Sequence, residues 1–182
     1  MAAPPASEVL AVELVPHDPR WFERAAQERA NLERAAGEHL VHVHHIGSTS
    51  IAGIMAKPIV DMLPVVKSAH SLDAIERAIV SLGYDWMGEF GLTGRRYCRF
   101  NNPQTGKREV QLHIYAEGNP EITRHLAFRD YLRAHPSIAK EYEAEKIRAA
   151  ALQPHDTLAY NNEKNDWIKR VEKDALAWMR CK

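Results

Sequence analysis

The residues best placed to do chemistry lie in a Gly-Ser turn and in a strand that carries a carboxylate. Gly47 and Ser48 follow an alternating segment, and Asp61 lies in the apolar run of residues 59–66. A glycine lets an anion approach backbone N–H groups, and a hydroxyl beside it adds a donor. A nearby carboxylate would hold Mg²⁺ against a phosphate. The spacing therefore indicates a phosphate site; the alternative is an ordinary turn beside a strand aspartate bonded to neighbouring backbone.

A second polar set falls on the strand predicted at residues 108–115. Alternation places apolar side chains on one face and polar side chains on the other. The polar side chains are Glu109, Gln111 and His113. His113 is a ligand type for Mn²⁺, Zn²⁺ or Fe²⁺, or a general base near neutral pH. Asp61, His113 and Glu109 therefore form a candidate metal shell, with a solvated strand face as the alternative.

Four histidines crowd the strand that leads into the turn: His39, His42, His44 and His45. His42 and His44 share one strand face while His45 points to the other, and no cysteine follows at zinc-finger spacing. The pattern favours satisfied or exposed histidines over a metal cluster. Because His45 adjoins the turn, a metal hydrolase that uses His45, Asp61 and His113 is a further hypothesis.

The elements that would position these residues follow from periodicity, caps and breakers. Strands are predicted at residues 9–15 (or an extended lead-in), 39–46, 59–66, 84–87, 95–100 and 108–115. Helices are predicted from Asp18-Pro19 to residue 36, from Ser71 to residue 82, and over 120–134, 136–152 and 155–180. This order predicts an α+β fold: a mixed β-sheet with flanking helices and a helical C-terminal segment.

Length and composition limit the class of protein. The chain has 182 residues, with 24 Lys plus Arg against 24 Asp plus Glu. A zero balance argues against a whole-body positive field for nucleic acid, and no apolar run is long enough to span a membrane. We therefore expect a cytoplasmic monomer or homodimer that binds neither nucleic acid nor membrane. It would be one domain over residues 1–182, with a frayed tail at 1–8 and a helical segment at 120–182.

Several motifs in order resemble the GrpB family. They are His45-Ile46-Gly47-Ser48-Thr49-Ser50-Ile51-Ala52-Gly53, Ala56-Lys57-Pro58-Ile59-Val60-Asp61, Gly94-Arg95-Arg96-Tyr97, Leu112-His113-Ile114, the run at residues 125–133, and Tyr160, Lys164 and Trp178. The resemblance covers roughly His17 to Trp178, nearly the whole chain.

The resemblance implies a nucleotidyltransferase-like fold, because the GrpB family is placed in the nucleotidyltransferase superfamily. Members bind a nucleoside triphosphate at the Gly-Ser turn and hold metal with strand carboxylates, usually as Asp-x-Asp. Here the pattern is Asp61-Met62-Leu63, so the second carboxylate, which a two-metal mechanism would use, is absent. The residues implied to bind the nucleotide are Gly47, Ser48, Thr49, Ser50, Lys57, Arg96, Arg129 and Lys164.

Two function hypotheses follow from the sequence. The first is transfer of a nucleotidyl group from a nucleoside triphosphate to a small acceptor, dependent on Mg²⁺ or Mn²⁺, with Asp61 and His113 as catalytic residues. The second is a nucleotide- or anion-binding module that kept the fold and lost catalysis, which the missing second carboxylate favours.

Overall fold

A computed structural model describes residues 11–181, and within them the chain divides into two compact units. The sheet unit comprises residues 18–50 and 59–123, and the helical unit comprises residues 11–17, 51–58 and 124–181. The tail predicted at residues 1–8 and the strand start at Val9 lie outside the described residues. That residues 1–182 behave as one domain stays a prediction.

Helices and strands are mixed from residue 20 to residue 116, and four helices follow from residue 120 onward. Their bounds in chain order are α1 Arg20–Ala36, β1 Leu40–Ile46, β2 Val60–Val66, α2 Ala69–Ala74, α3 Glu76–Ser81, β3 Asp85–Trp86, β4 Arg95–Asn101, β5 Arg108–Ala116, α4 Pro120–Ala134, α5 Pro136–Leu152, α6 Thr157–Glu163 and α7 Asn165–Arg180. Short 3₁₀ turns lie at Gly37–His39 and Ser48–Ser50. The predicted α+β fold with a mixed sheet, flanking helices and a helical C-terminal segment is confirmed.

The sheet has five strands in the order β1-β2-β5-β4-β3. β2 and β5 pair in parallel, while the other neighbours are antiparallel. β2 is buried along nearly its whole length, as its continuous run of apolar residues predicts. Two strands from distant parts of the sequence therefore lie side by side at the centre of the sheet.

Helix α1 packs against the sheet face that carries His45. The Asp18 side chain caps the start of the helix, since its Oδ1 accepts a hydrogen bond from the Arg20 N–H at 2.9 Å. Gly37, at φ 51°, ends it as predicted. The ring of Phe22 meets that of His45 edge to face, with centroids 5.6 Å apart.

Three predicted elements differ from the structure. The helix expected to begin at Ser71 is capped by Ser68, whose Oγ accepts from the Ser71 N–H at 3.3 Å, and it divides at Ile75 into α2 and α3. The helix expected over residues 155–180 divides at Lys164 into α6 and α7, where no proline or glycine marks a break. Of the strand predicted at residues 9–15, the described part forms an isolated bridge between Val15 and Ala56.

The helical unit has its own apolar core. Buried residues from the segment Ile51–Pro58 and from α4 and α5 form it: Ile51, Ile54, Leu132, Ala139 and Tyr142. Trp167 stacks on Tyr142 with ring centroids 5.3 Å apart, so this tryptophan is a packing residue. No helix within residues 11–181 is long and apolar enough to cross a membrane.

Candidate functional site

The turn after β1 is shaped by its own hydroxyl groups. Gly47 has φ 69°, and its carbonyl oxygen accepts from the N–H of Ser50 at 3.1 Å and from the Ser50 Oγ at 2.6 Å. The Thr49 Oγ1 lies 2.9 Å from the His45 Nε2, and both side chains are buried. Thr49 and Ser50 therefore fix the turn, whereas Ser48 is half-buried.

Asp61 lies directly against the turn. The β1–β2 register pairs Ile46 with Asp61, which brings the following Gly47 beside the carboxylate. A Cβ placed on Gly47 would stand 2.5 Å from the Asp61 Oδ2, closer than real Cβ atoms come. The bare glycine backbone and the carboxylate are therefore in van der Waals contact, and a side chain at position 47 would displace Asp61.

His113 completes a pair with Asp61. The β2–β5 register places both side chains on one sheet face, and the His113 Nε2 lies 3.5 Å from the Asp61 Oδ1. The Asp61 side chain is 26% exposed and that of His113 is 16% exposed, so both reach solvent. The sequence-based expectation that these two residues share a face is met by this geometry.

Tyr97 lies beside His113 on the same sheet face and is affected by the charges of Asp61 and of three arginines. The Tyr97 ring centroid lies 5.5 Å from that of His113. Burial raises the pKa of Tyr97 to about 12, and the charge of Asp61 acts in the same direction while Arg108, Arg99 and Arg95 oppose it. The phenol is therefore protonated at neutral pH and is available as a hydrogen-bond donor.

The position of a second carboxylate is occupied by Leu63. Two residues beyond Asp61 on β2, Leu63 points to the same face and is fully buried. Among residues 11–181, no three His, Cys, Asp or Glu side chains converge as a metal-binding group. One carboxylate and one imidazole remain, which fits a single divalent ion completed by phosphate oxygens and water, and does not fit a two-metal centre.

Glu109 does not join Asp61 and His113. The β4–β5 pairing shifts register between Phe100 and Asn101, which leaves Glu109 as the extra residue of a β-bulge. Its carboxylate accepts from the Asn102 Nδ2 at 2.7 Å and lies 3.5 Å from the Arg24 Nη2 of α1. The bulge re-aims the side chain, so the structure gives no support to Glu109 as a metal ligand.

Arg96 lies on the opposite face of the sheet from Asp61. It pairs in register with Ile114 and forms a bidentate ion pair with Asp73, with Nε–Oδ1 at 2.6 Å and Nη2–Oδ2 at 2.9 Å. Arg99 instead pairs with Gln111, which pairs with Asp61, so Arg99 shares the Asp61 face. Side chains alternate along a strand, so Arg99, two residues from Tyr97, shares its face and Arg96 does not. With the register known, alternation would therefore have identified Arg99 as the nucleotide-binding candidate in place of Arg96.

The other predicted basic residues belong to the helical unit. Lys57 and Lys164 place their Nζ atoms 5.2 Å and 4.2 Å from the ring centroid of Tyr160. The Arg129 Nε donates to the Asp130 Oδ1 at 2.7 Å. A part for these three residues in nucleotide binding stays a prediction.

The histidines before the turn are divided as predicted. His42 and His44 share a face, with ring centroids 4.3 Å apart. His45 pairs in register with Met62 and lies on the face opposite Asp61. The structure therefore does not bring His45, Asp61 and His113 together as the hydrolase hypothesis requires.

The fold and the site define a class: an α+β protein in which a Gly-Ser turn abuts an aspartate on the neighbouring strand of a mixed sheet. The chain belongs to the GrpB family, since the family described as GrpB protein matches residues 11–174. This confirms the family resemblance of the motifs.

Known relatives agree with that assignment. UPF0157 protein YqkA of Bacillus subtilis is 41% identical over 169 residues, which cover 93% of this chain but 48% of YqkA. Glutamate-rich protein GrpB of Alkalihalophilus pseudofirmus is 31% identical over 160 residues, covering 87% of this chain and 92% of that protein. The crystal structure of conserved protein GrpB from Enterococcus faecalis superposes with a TM-score of 0.84 at 39% identity, covering 92% of this chain and 99% of that one. The chain thus spans about half the length of YqkA and nearly all of the other two.

Proposed function

We propose that the Gly47-Ser48 turn and Asp61 bind a nucleoside triphosphate with a divalent metal, and that the protein transfers the nucleotidyl group to a small acceptor. The contact between the Gly47 backbone and the Asp61 carboxylate carries this proposal. A bare turn beside a carboxylate lets a phosphate reach backbone N–H groups while a cation joins the phosphate to the carboxylate. The superfamily to which the GrpB family is assigned supports the same reaction class.

Asp61 is the residue that would hold Mg²⁺ or Mn²⁺. Mg²⁺ typically takes one or two protein carboxylates and completes its shell with phosphate oxygens and water, so a single carboxylate suffices. When bound, the metal would neutralise charge on the phosphate that is attacked. Leu63 offers no second carboxylate, so a two-metal mechanism is not proposed.

His113 is the group that would take the proton from the acceptor hydroxyl. Its Nε2 lies 3.5 Å from the Asp61 Oδ1, which places a proton acceptor beside the carboxylate that would hold the metal. Arg99, on the same face, would offset negative charge that develops on the phosphate. Ser48 and the backbone N–H groups of the turn would orient the phosphate.

A thermal-shift screen with ATP, GTP, CTP and UTP, each with and without Mg²⁺ or Mn²⁺, tests the proposal. A nucleotide at a hundredfold excess over its Kd adds about 2.7 kcal/mol of stability, which raises the Tm of a domain this size by roughly 5–10 °C. We expect a shift that requires both nucleotide and metal and that disappears in Asp61→Asn. Pyrophosphate release in the presence of candidate acceptors then measures turnover. The absence of any nucleotide-dependent shift would rule the proposal out.

Two arginines on β4 form a matched control pair. Arg99 and Arg96 both pair with an aspartate, Asp85 and Asp73, but they lie on opposite faces of the sheet. Arg99→Gln is expected to weaken nucleotide binding by about ten- to a hundredfold, the worth of a charge-assisted hydrogen bond. Arg96→Gln is expected to leave it unchanged. Equal effects of the two substitutions would show that any loss of binding is not specific to the Asp61 face, and the role proposed for Arg99 would then be wrong.

A binding module without turnover is the second candidate function. The observation that favours it is the buried Leu63 at the place of the second carboxylate. It predicts that nucleotides raise the Tm without a divalent metal and that no pyrophosphate is released. The metal requirement in the same screen therefore separates the two functions.

A further inference from the structure

The helical unit contains a cavity of about 330 Å³. It lies where the segment Ile51–Pro58 meets the corner between α4 and α5. The lining residues are Ile51, Ala52, Gly53, Ile54, Leu132, Arg133, Pro136, Ala139 and Lys140. Its volume is at the lower end of the range for ligand pockets, about 300–1,000 Å³, and suits a ligand of few atoms.

The walls of the cavity are apolar. Ile51, Ile54 and Leu132 belong to the buried core beneath the lining, and the apolar positions of the lining that are exposed are Ala52, Gly53 and Pro136. Ligand sites combine such walls with a small number of polar groups that fix orientation.

Two cations, Arg133 and Lys140, complete the lining, and none of the nine lining residues is acidic. Their side chains are 40% and 63% exposed, so both charges reach the opening. The Lys140 Nζ donates to the Gly53 carbonyl oxygen and to the Glu143 Oε2, both at 2.8 Å, which fixes this ammonium at the rim.

The Arg133 guanidinium is in a position to gain from an added anion. Its Nη1 lies 3.9 Å from the Asp130 Oδ1, and that oxygen also accepts from the Arg129 Nε at 2.7 Å. Burial and the neighbouring charge of Arg129 lower the pKa of Arg133, while Asp130 opposes them. A carboxylate at the rim would add a negative charge close to Arg133, whose planar guanidinium suits a carboxylate partner.

We propose that this cavity binds a small carboxylate with an apolar body. The apolar part would lie against the exposed lining at Ala52 and Pro136, and the carboxylate would pair with Arg133 and Lys140. A nucleotide is too polar for these walls. The site therefore goes beyond the proposed nucleotide function and does not rest on it.

Hexanoate and hexanamide are matched probes, because they share the apolar chain and differ in charge. Isothermal titration of the full chain is expected to show saturable binding of hexanoate, at least tenfold tighter than hexanamide, in line with a charge-assisted hydrogen bond. Inorganic phosphate, which has the charge without the apolar chain, is expected to bind at least tenfold more weakly than hexanoate.

Variants separate the two halves of the site. Arg133→Gln with Lys140→Gln should weaken hexanoate about tenfold or more, and Ala52→Phe, at an exposed lining position, should block it without a change in charge. Lys173→Gln with Arg180→Gln, at exposed positions of α7 outside the lining, is the matched control and should have no effect. Thermal unfolding of each variant checks that it is folded.

Three outcomes would overturn the proposal. Equal affinities for hexanoate and hexanamide would show that the cations do not recognise the carboxylate. Equal affinities for hexanoate and phosphate would show that the apolar lining does not contribute to binding. No measurable binding of hexanoate at 10 mM, about the weakest affinity that a charge-paired apolar ligand should show, would remove the site. Because nucleotide is absent from the titration, none of these outcomes bears on the transferase proposal.

Discussion

At the scale of single residues, position 47 is the one in the site where substitution of the residue present, a glycine, is most restricted. Its φ of 69° is in the left-handed region, where a side chain is strained. An added Cβ would also meet the Asp61 Oδ2 at 2.5 Å. Backbone conformation and close approach to a carboxylate thus require glycine independently, and both serve the turn that we propose binds phosphate.

Gly47→Ala should therefore destabilise the protein more than a substitution that meets only the backbone requirement. Gly106 has φ 67° with nothing within 4 Å of its added Cβ, so Gly106→Ala isolates the conformational cost, about 1–2 kcal/mol. We expect Gly47→Ala to cost about 1–3 kcal/mol more, the range for overpacking. Urea denaturation of both variants measures the difference. Equal costs would mean that Asp61 moves aside freely and is not held against the turn.

At the scale of elements, the alternation of side chains along strands predicted much of the site. The apolar and polar faces of β5 follow from its sequence, and so does the separation of His45 from His42 and His44. The position of Glu109 was not predictable in this way. The bulge that turns it toward Asn102 depends on how β4 pairs with β5, and the local sequence does not specify that pairing.

Helix boundaries show the same dependence on context. Ser68 and Ser71 are both suitable N-caps, and the structure uses Ser68. No proline or glycine marks the break at Lys164, so the sequence pattern predicted one continuous helix where the structure has two. Residues with a local chemical signature, such as Asp18 and Gly37, were identified correctly, because their capping interactions involve only near neighbours.

Helix α5 fixes an irregular segment through two side chains one turn apart. The Met55 N–H donates to the Glu143 Oε1 at 2.5 Å, and the Lys146 Nζ donates to the Met55 carbonyl oxygen. Burial alone would raise the pKa of Glu143, yet hydrogen bonds from Lys140 and from the Met55 N–H bring it below its usual value. The side chains of Glu143 and Lys146 thus provide hydrogen-bond partners for both the N–H and the carbonyl group of Met55.

Lys146 makes the stability of the protein depend on pH. Burial lowers the pKa of this ammonium to about 7 from its ordinary 10.5, although the charge of Glu143 opposes the shift. Above pH 7 the unfolded chain keeps a proton that the folded chain has released, so the free energy of unfolding rises with pH. Between pH 7 and pH 9 we expect a gain of roughly 2 kcal/mol, measured by urea denaturation.

The substitution Lys146→Met provides the control for that slope. Methionine keeps the apolar stem and cannot titrate, so the gain between pH 7 and pH 9 should disappear even if the variant is less stable overall. The range stops at pH 9 because burial raises the pKa of Cys98, whose ionisation in the unfolded chain would begin to offset the gain. The same slope in the wild type and the variant would assign the pH dependence to another group.

At the scale of the whole molecule, the two compact units are not consecutive along the chain. The chain passes from one unit to the other after residues 17, 50, 58 and 123, and the last of these points falls inside helix α4. Neither unit is one continuous stretch, and the segment Ile51–Pro58, which the helical unit requires for its core, is joined at both ends to strands or turns of the sheet unit. Loss of one unit should therefore disrupt the other, which favours cooperative unfolding.

Tryptophans distributed over both units allow this to be measured. Trp21 and Trp86 lie in the sheet unit, and Trp167 and Trp178 lie in the helical unit. The double variant Trp167→Phe with Trp178→Phe keeps the tryptophans of the sheet unit and reports on that unit. The double variant Trp21→Phe with Trp86→Phe keeps those of the helical unit and reports on it. In each variant we expect the fluorescence transition in urea to coincide with the loss of helix followed by circular dichroism, as one cooperative domain requires. A fluorescence midpoint that departs from the circular dichroism midpoint in either variant would show that the units unfold separately, and the single-domain prediction would then be wrong.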